Sequence, residues 1–246
     1  MKYLLKIAFA GMNYHGWQVQ TGAPSVQGTL CAAAASLFGA PCAVTGCSRT
    51  DAGVSAKEYF CTLESPEDAC VPPDRLPAAM NRFLPPDIAL LEASECPSDF
   101  HARYSVKSKT YEYTILNSSA RDPFLSGLVW QYDRPLDEAV MDAGAKLFCG
   151  THDFSAFCAS GTSVEDKKRT IFSSSVRREG DKVIFSVCGD GFLYNMVRIM
   201  AGTLVELSLS KISEETIALA LNSGERSLCG ATAPACGLCL TKVEYQ

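Results

Sequence analysis

The sequence predicts an α+β fold of two similar βαββαβ-type domains, each a mainly antiparallel sheet with its helices on one face and an active-site cleft between the two. Three observations lead there. Tyr3, Leu5, Ile7 and Phe9 share one side of an extended opening segment, the period-two pattern of a half-buried strand. Segments with helix caps alternate with such strands along the chain. The order strand, helix, strand, strand, helix, strand is read first from residue 2 to 93 and again, with one insertion, from 108 to 244.

In the first half, Ser25 is placed to cap a helix that runs through the alanines to Phe38, and Gly39 to end it. Strands follow at 42 to 47 and 56 to 63, then a helix from Asp74 to Phe83 and a strand from Ile88 to Ala93. In the second half a long strand covers Ser108 to Leu116, with a short one near 128 to 132. A helix from Asp137 to Phe148 has Gly150 to stop it, and strands at 170 to 178 and 182 to 188 form a hairpin across Arg178-Glu-Gly-Asp181. Helices from Phe192 to Ser208 and from Ser213 to Asn222, then a strand at 238 to 244, complete the chain. The two halves share little residue identity, so the duplication is one of element order. The domain boundary is expected near residues 98 to 106, which gives an N-terminal domain 1–103 and a C-terminal domain 104–246.

With 246 residues, 47% hydrophobic and 20% charged, the chain has the composition of a globular protein and can bury one large core or two smaller ones. Its longest apolar runs fall far short of the ~20 residues that span a bilayer. Lys6 breaks the opening apolar segment, so no signal core is read there and a cytoplasmic location is expected. Twelve cysteines scattered through apolar segments read as reduced, mostly core residues instead of a disulfide framework. A net charge of −5 does not by itself suggest a nucleic-acid partner, yet from Phe100 to Tyr111 there is no acid. Within that stretch Arg103, Lys107 and Lys109 alternate with aromatic and small residues, a candidate basic stripe.

Three constellations could carry chemistry. In Gly46-Cys-Ser-Arg-Thr-Asp-Ala-Gly53, Arg49 and Asp51 are two apart and can point the same way from an extended loop, where a neighbouring cation keeps the carboxylate ionised. The plain alternative is an Asx turn before Gly53, and for an isolated loop it is the commoner case. In Asp190-Gly-Phe-Leu-Tyr-Asn-Met-Val-Arg198, a helix starting at Phe192 would put Tyr194 and Arg198 on one face above an apolar stripe. Arg198 is then either a buried cation in need of a carboxylate from the other half or a surface residue at mid-helix. On the strand from Ser108, Lys107, Lys109 and Tyr111 share a face and could offer phosphate contacts beside a stacking ring. A solvated strand edge guarded by lysines explains the same pattern.

His15, His101 and His152 have no metal-ligand partners at helical or zinc-finger spacing and read as polar contacts. Cys236-Gly-Leu-Cys239 lacks both a second pair and the His-x-Glu of a zinc deaminase, so a structural zinc is a minor alternative. Neither a phosphate-binding loop nor a dinucleotide fingerprint is found, and no nucleotide cofactor is expected.

Taken together, seven segments in order resemble the TruA-type tRNA pseudouridine synthases over nearly the whole chain. They are Tyr14-His-Gly-Trp-Gln18, Ser25-Val-Gln-Gly28, Arg49-Thr-Asp-Ala-Gly-Val54, Phe100-His-Ala-Arg103 with Lys109-Thr-Tyr111, Gly150-Thr-His-Asp-Phe154, Gly191-Phe-Leu-Tyr-Asn-Met-Val-Arg198 and Thr232-Ala-Pro-Ala-Cys-Gly-Leu238. The resemblance implies a homodimer of two-domain subunits that needs no cofactor or metal and isomerises uridines at positions 38, 39 and 40 of the tRNA anticodon arm. It implies Asp51 as the catalytic aspartate and Arg49 as the arginine that helps displace the target base. It further implies Tyr111 as the active-site tyrosine and Arg198 as the arginine paired with the aspartate. Ser55 departs from the pattern, which usually has His there, and puts a local loop contact in doubt. Two other readings share these residues. A non-catalytic RNA-binding module would keep the stripe Arg103, Lys107, Lys109 and Tyr111 but has no use for a carboxylate at the loop's centre. A hydrolase such as a nucleosidase would need a water-activating partner that the sequence does not assign.

Overall fold

The structure, a computed structural model, describes residues 1–66, 69–161 and 164–245. Its fold is α+β, and strand pairing among the described residues is mainly antiparallel. Two compact units make up the chain, Met1–Lys107 with Leu240–Gln246, and Ser108–Cys239.

In the first unit β1 (Lys2–Phe9) is central, with Tyr3, Leu5, Ile7 and Phe9 buried as their alternation requires. On the other face Lys6 bonds Glu58 and Glu92 at 3.2 Å each. Helix α1 (Val26–Phe38) follows, with the Ser25 hydroxyl accepting from the Gly28 N–H and Gly39 in the left-handed conformation at φ 72°. Phe38, at the end of α1, stacks on Tyr3 of β1 with centroids 6.4 Å apart. Next come β2 (Ala43–Gly46), β3 (Ser55–Glu64), α2 (Leu76–Met80) and β4 (Ile88–Glu95). The element order matches the sequence reading, but α2 is far shorter than the expected 74 to 83. Pro77 sits at its start, and Asn81 leaves the helix to bond the Leu90 backbone in both directions, at 2.9 and 2.8 Å. Antiparallel pairing joins β4 to β1 and β1 to β3, while β2 takes the far edge of β3 at Cys61–Glu64.

In the second unit β5 (Val106–Asn117) pairs antiparallel with β9 (Lys182–Gly189), β9 with β8 (Lys168–Glu179), and β8 with β7 (Gly150–Asp153). The short β6 (Trp130–Tyr132) adds to β5 in parallel. Gly180 turns the β8–β9 hairpin at φ 57°. Helix α3 (Glu138–Lys146) is capped by Asp137, whose carboxylate accepts from two backbone N–H groups. The sequence reading had no β7; Gly150, read there as a helix stop, instead opens this strand at φ 105°. Helices α4 (Met196–Ser208) and α5 (Glu214–Ser223) precede β10 (Leu238–Tyr245). Beside β10 lies β3, and the chain from Leu240 counts with the first unit.

Nearly all of α4 is buried, and it is zipped to the segment before β10. The Gly230 N–H donates to the Thr203 hydroxyl at 3.0 Å, and the Ala233 N–H to the Arg198 carbonyl at 3.1 Å. A Cβ on Gly202 would lie 1.8 Å from the Ala231 carbonyl oxygen, so the two backbones meet where only glycine fits. Alanine is the better helix former by about 1 kcal/mol, yet Gly202→Ala is expected to destabilise the protein by about 1–3 kcal/mol through overpacking. Thermal unfolding of the variant checks this; an unchanged or raised midpoint would contradict it.

Four cysteines, Cys42, Cys47, Cys61 and Cys158, are buried. Cys70 is exposed and the other seven are partly exposed, which corrects the expectation that most belong to the core. Among the described residues no helix is long and apolar enough to cross a membrane.

Candidate active site

Asp51 lies in the first unit on the loop between β2 and β3. Thr50 is buried, Arg49 is exposed and Asp51 is half-buried, an alternation that suits an extended stretch. The loop then turns, and the Val54 N–H donates to the Asp51 carbonyl at 3.2 Å with Gly53 at φ 80°. A main-chain bond therefore closes this turn.

The segment Gly11–Trp17 fixes both flanks of Asp51. The Trp17 N–H donates to the Thr50 carbonyl at 3.2 Å, and the Gly53 N–H donates to the Tyr14 carbonyl at 3.1 Å. Two glycines allow this approach: a Cβ at Gly16 would sit 2.2 Å from the Thr50 oxygen, and one at Gly11 would sit 2.0 Å from the Val54 oxygen. At the loop's start the Tyr59 hydroxyl donates to the Ser48 carbonyl, and the Trp17 ring stacks on Tyr59 at 4.3 Å. At its end the buried Ser55 hydroxyl accepts from the Gly11 N–H at 3.0 Å. The residue that departs from the family pattern thus makes a contact that stabilises the loop.

Arg103 is exposed on a helical turn closed by the Ser105 N–H donating to the His101 carbonyl at 3.1 Å. His101 Nδ1 accepts from the Arg103 N–H at 3.1 Å, and the Arg103 guanidinium lies 5.8 Å from the centre of the Tyr104 ring. The segment is anchored by Tyr245 of β10, whose hydroxyl donates to the Ala102 carbonyl at 2.9 Å. His152 bonds the Cys149 carbonyl at 2.9 Å, so His101 and His152 both act as polar contacts, as read from the sequence.

Lys107, Lys109 and Tyr111 follow one another on the same face of β5, with Lys107 exposed, Lys109 half-buried and Tyr111 only 6% exposed. Lys109 faces Gly189 and Tyr111 faces Val187 in the ladder with β9. The edge of the Tyr111 ring meets Phe192, with centroids 5.1 Å apart and planes at 81°. Two residues on, the Tyr113 hydroxyl donates to the Pro234 carbonyl at 2.7 Å, and burial pushes that phenol well above its usual range.

Arg198 sits in the first turn of α4, half-buried. Its Nε donates to the Ala233 carbonyl at 2.8 Å and its Nη1 to the Asn195 Oδ1 at 2.6 Å. Asn195, in the left-handed conformation at φ 60°, starts this helix. Tyr194 therefore lies outside α4 and is exposed, which corrects the reading of Tyr194 and Arg198 as neighbours on one helical face. The apolar run Phe192-Leu-Tyr continues the helical pattern in sequence, but the left-handed residue at Asn195 resets the chain direction. Asparagine, which tolerates that region, was the available signal.

Arg49, Asp51, Arg103 and Lys107 thus belong to the first unit and Lys109, Tyr111 and Arg198 to the second. The sequence reading gave no role to Tyr14, Ser55, Phe192 or Asn195. Phe192 meets Tyr111, Asn195 bonds Arg198 and Tyr14 bonds Gly53, whereas Ser55 bonds Gly11.

Residues 145–246 match the family model described as tRNA pseudouridine synthase. Over 243 residues the chain is 44% identical to tRNA pseudouridine synthase A of Moorella thermoacetica, covering 98% of each chain. The protein of the same name from Clostridium acetobutylicum is 41% identical over 241 residues, and that from Acetivibrio thermocellus 44% over 241, each again with 98% of both chains covered. Identity at this level over essentially the full length of the relatives places the chain in the tRNA pseudouridine synthase A family of isomerases.

Proposed function

We propose that this chain isomerises uridine to pseudouridine at positions 38, 39 and 40 of the tRNA anticodon stem-loop, as a homodimer, with Asp51 as the catalytic carboxylate. The observation that supports this most is the full-length agreement with tRNA pseudouridine synthase A relatives. In the reaction the bond from uracil N1 to ribose C1′ breaks and one from C5 to C1′ forms. The C5 proton leaves to an acceptor and N1 takes one up, so nothing is added and nothing is oxidised. A carboxylate, a proton acceptor and a dry pocket suffice for such a step.

Each side chain has a task in this scheme. Asp51 supplies the charge that opens the glycosidic bond, on a loop whose backbone is bonded on both sides of it. Arg198 is the cation that keeps it ionised. The base must first leave its stack, at a cost of a few kcal/mol, which Arg49 offsets by taking its place and Tyr111 by stacking on it. Arg103, Lys107 and Lys109 hold phosphates. Mapping pseudouridine in tRNA incubated with the purified protein tests the scheme. Conversion confined to positions 38 to 40 is expected; conversion elsewhere, or none, would refute it.

A further inference from the structure

Tyr14 bonds in two directions. Its backbone carbonyl accepts from Gly53, two residues past Asp51, while its side-chain hydroxyl donates to Asp87 Oδ1 at 2.7 Å. The other oxygen of Asp87 accepts from the Asn13 amide at 2.9 Å, and the Asp87 carbonyl accepts from the Ala10 N–H at 2.9 Å. Asp87 thus holds the strap Ala10–Tyr14 at three points, two of them through its carboxylate. The strap in turn holds the loop at Gly53 and Ser55, and Trp17, three residues past its end, holds it at Thr50.

We propose that Asp87 and Tyr14 form a positioning pair for Asp51: the carboxylate of Asp87 fixes Tyr14, and Tyr14 fixes the main chain beside the reacting carboxylate. This rests on the assignment of Asp51 above. The Tyr14 ring is buried, and its phenol is held well above its usual range, first by burial and then by the bond to Asp87. It therefore stays a neutral donor to the carboxylate throughout the working pH range. A charge-assisted bond of this kind is stronger than one between neutral groups and suits a joint that must not slip. The Ser55 hydroxyl adds a neutral contact at Gly11, whereas the Asp87 carboxylate is the charged group that takes two bonds from the strap.

The test uses Tyr14→Phe, Asp87→Ala, Asp87→Asn and the double variant Tyr14→Phe/Asp87→Ala, assayed with tRNA well below their unfolding midpoints. Tyr14→Phe and Asp87→Ala are each expected to lower kcat roughly tenfold to a hundredfold, the scale for a misplaced reacting group, with KM for tRNA changed less than about twofold. The double variant should be no worse than the worse single one, and Asp87→Asn, whose amide oxygen can still accept from Tyr14, should recover part of the loss. Turnover within twofold of the parent for both single variants would overturn the pair, and so would full additivity of their losses. A loss seen only in the unfolding midpoint, with kcat kept, would make the contact merely structural and overturn it too. Tyr14→Phe removes a single oxygen and leaves the buried ring, so it keeps the test decisive if Asp87→Ala folds poorly. If Asp51→Asn is itself active, the catalytic assignment fails; if it is inactive while these variants turn over normally, only the positioning pair fails.

Discussion

Asp51→Asn is expected to abolish tritium release from tRNA labelled at uracil C5, by about four orders of magnitude or more, while leaving tRNA binding nearly unchanged. The amide has almost the carboxylate's shape but neither its charge nor its basicity, so a step that needs an anionic oxygen has no substitute. Binding should survive because affinity for tRNA rests on many phosphate contacts, to which one carboxylate adds nothing. Folding should survive as well: the Thr50 carbonyl, the Gly53 N–H and the Asp51 carbonyl, which hold the loop on both sides of the carboxylate, are main chain and stay in the variant. Release at a rate close to that of the parent protein would sink the proposed chemistry, and loss of tRNA binding would make Asp51 a binding residue instead.

Arg198→Met is expected to lose turnover by at least about a hundredfold, the scale for removing one preorganised charged partner. A stability cost of about 1–3 kcal/mol should accompany it, because the Ala233 carbonyl and the Asn195 amide oxygen both lose a guanidinium donor. The two effects separate in a comparison with Arg198→Lys. Lysine keeps the charge and can reach one acceptor, but it lacks the planar fork that spans two acceptors lying in different directions. Stability should then recover more than turnover, as read by thermal unfolding and by single-turnover kinetics below the midpoint. Normal turnover by the Met variant would refute the proposed role of Arg198 in catalysis.

Much of this protein was legible without coordinates. The alternation of Tyr3, Leu5, Ile7 and Phe9 fixed which face of β1 is buried, Ser25 and Gly39 marked both ends of α1, and the Glu179-Gly180 turn marked the β8–β9 hairpin. Motif order did the rest, pointing to Asp51, Tyr111 and Arg198 and to the family. Signals of this kind are local: a cap, a turn or a strand face is set by residues within a few positions of one another, so a linear reading can find it.

Apart from the start of α4, what the linear reading missed depends on residues far apart in the chain. Phe192-Leu-Tyr has the apolar character of a helix start, but Asn195 takes a left-handed conformation and bonds Arg198, so α4 begins at Met196. Asp87 looks like an ordinary residue after Pro85-Pro86 until folding brings it to Tyr14, 73 positions away. Ser55 counted as a departure from a pattern until its hydroxyl met the Gly11 N–H, 44 positions away. By itself, then, the sequence determined most of the elements, their order and the family. Only the tertiary structure decided what holds the Asp51 loop in place, because each buried polar group must find a partner and that partner need not be near in sequence.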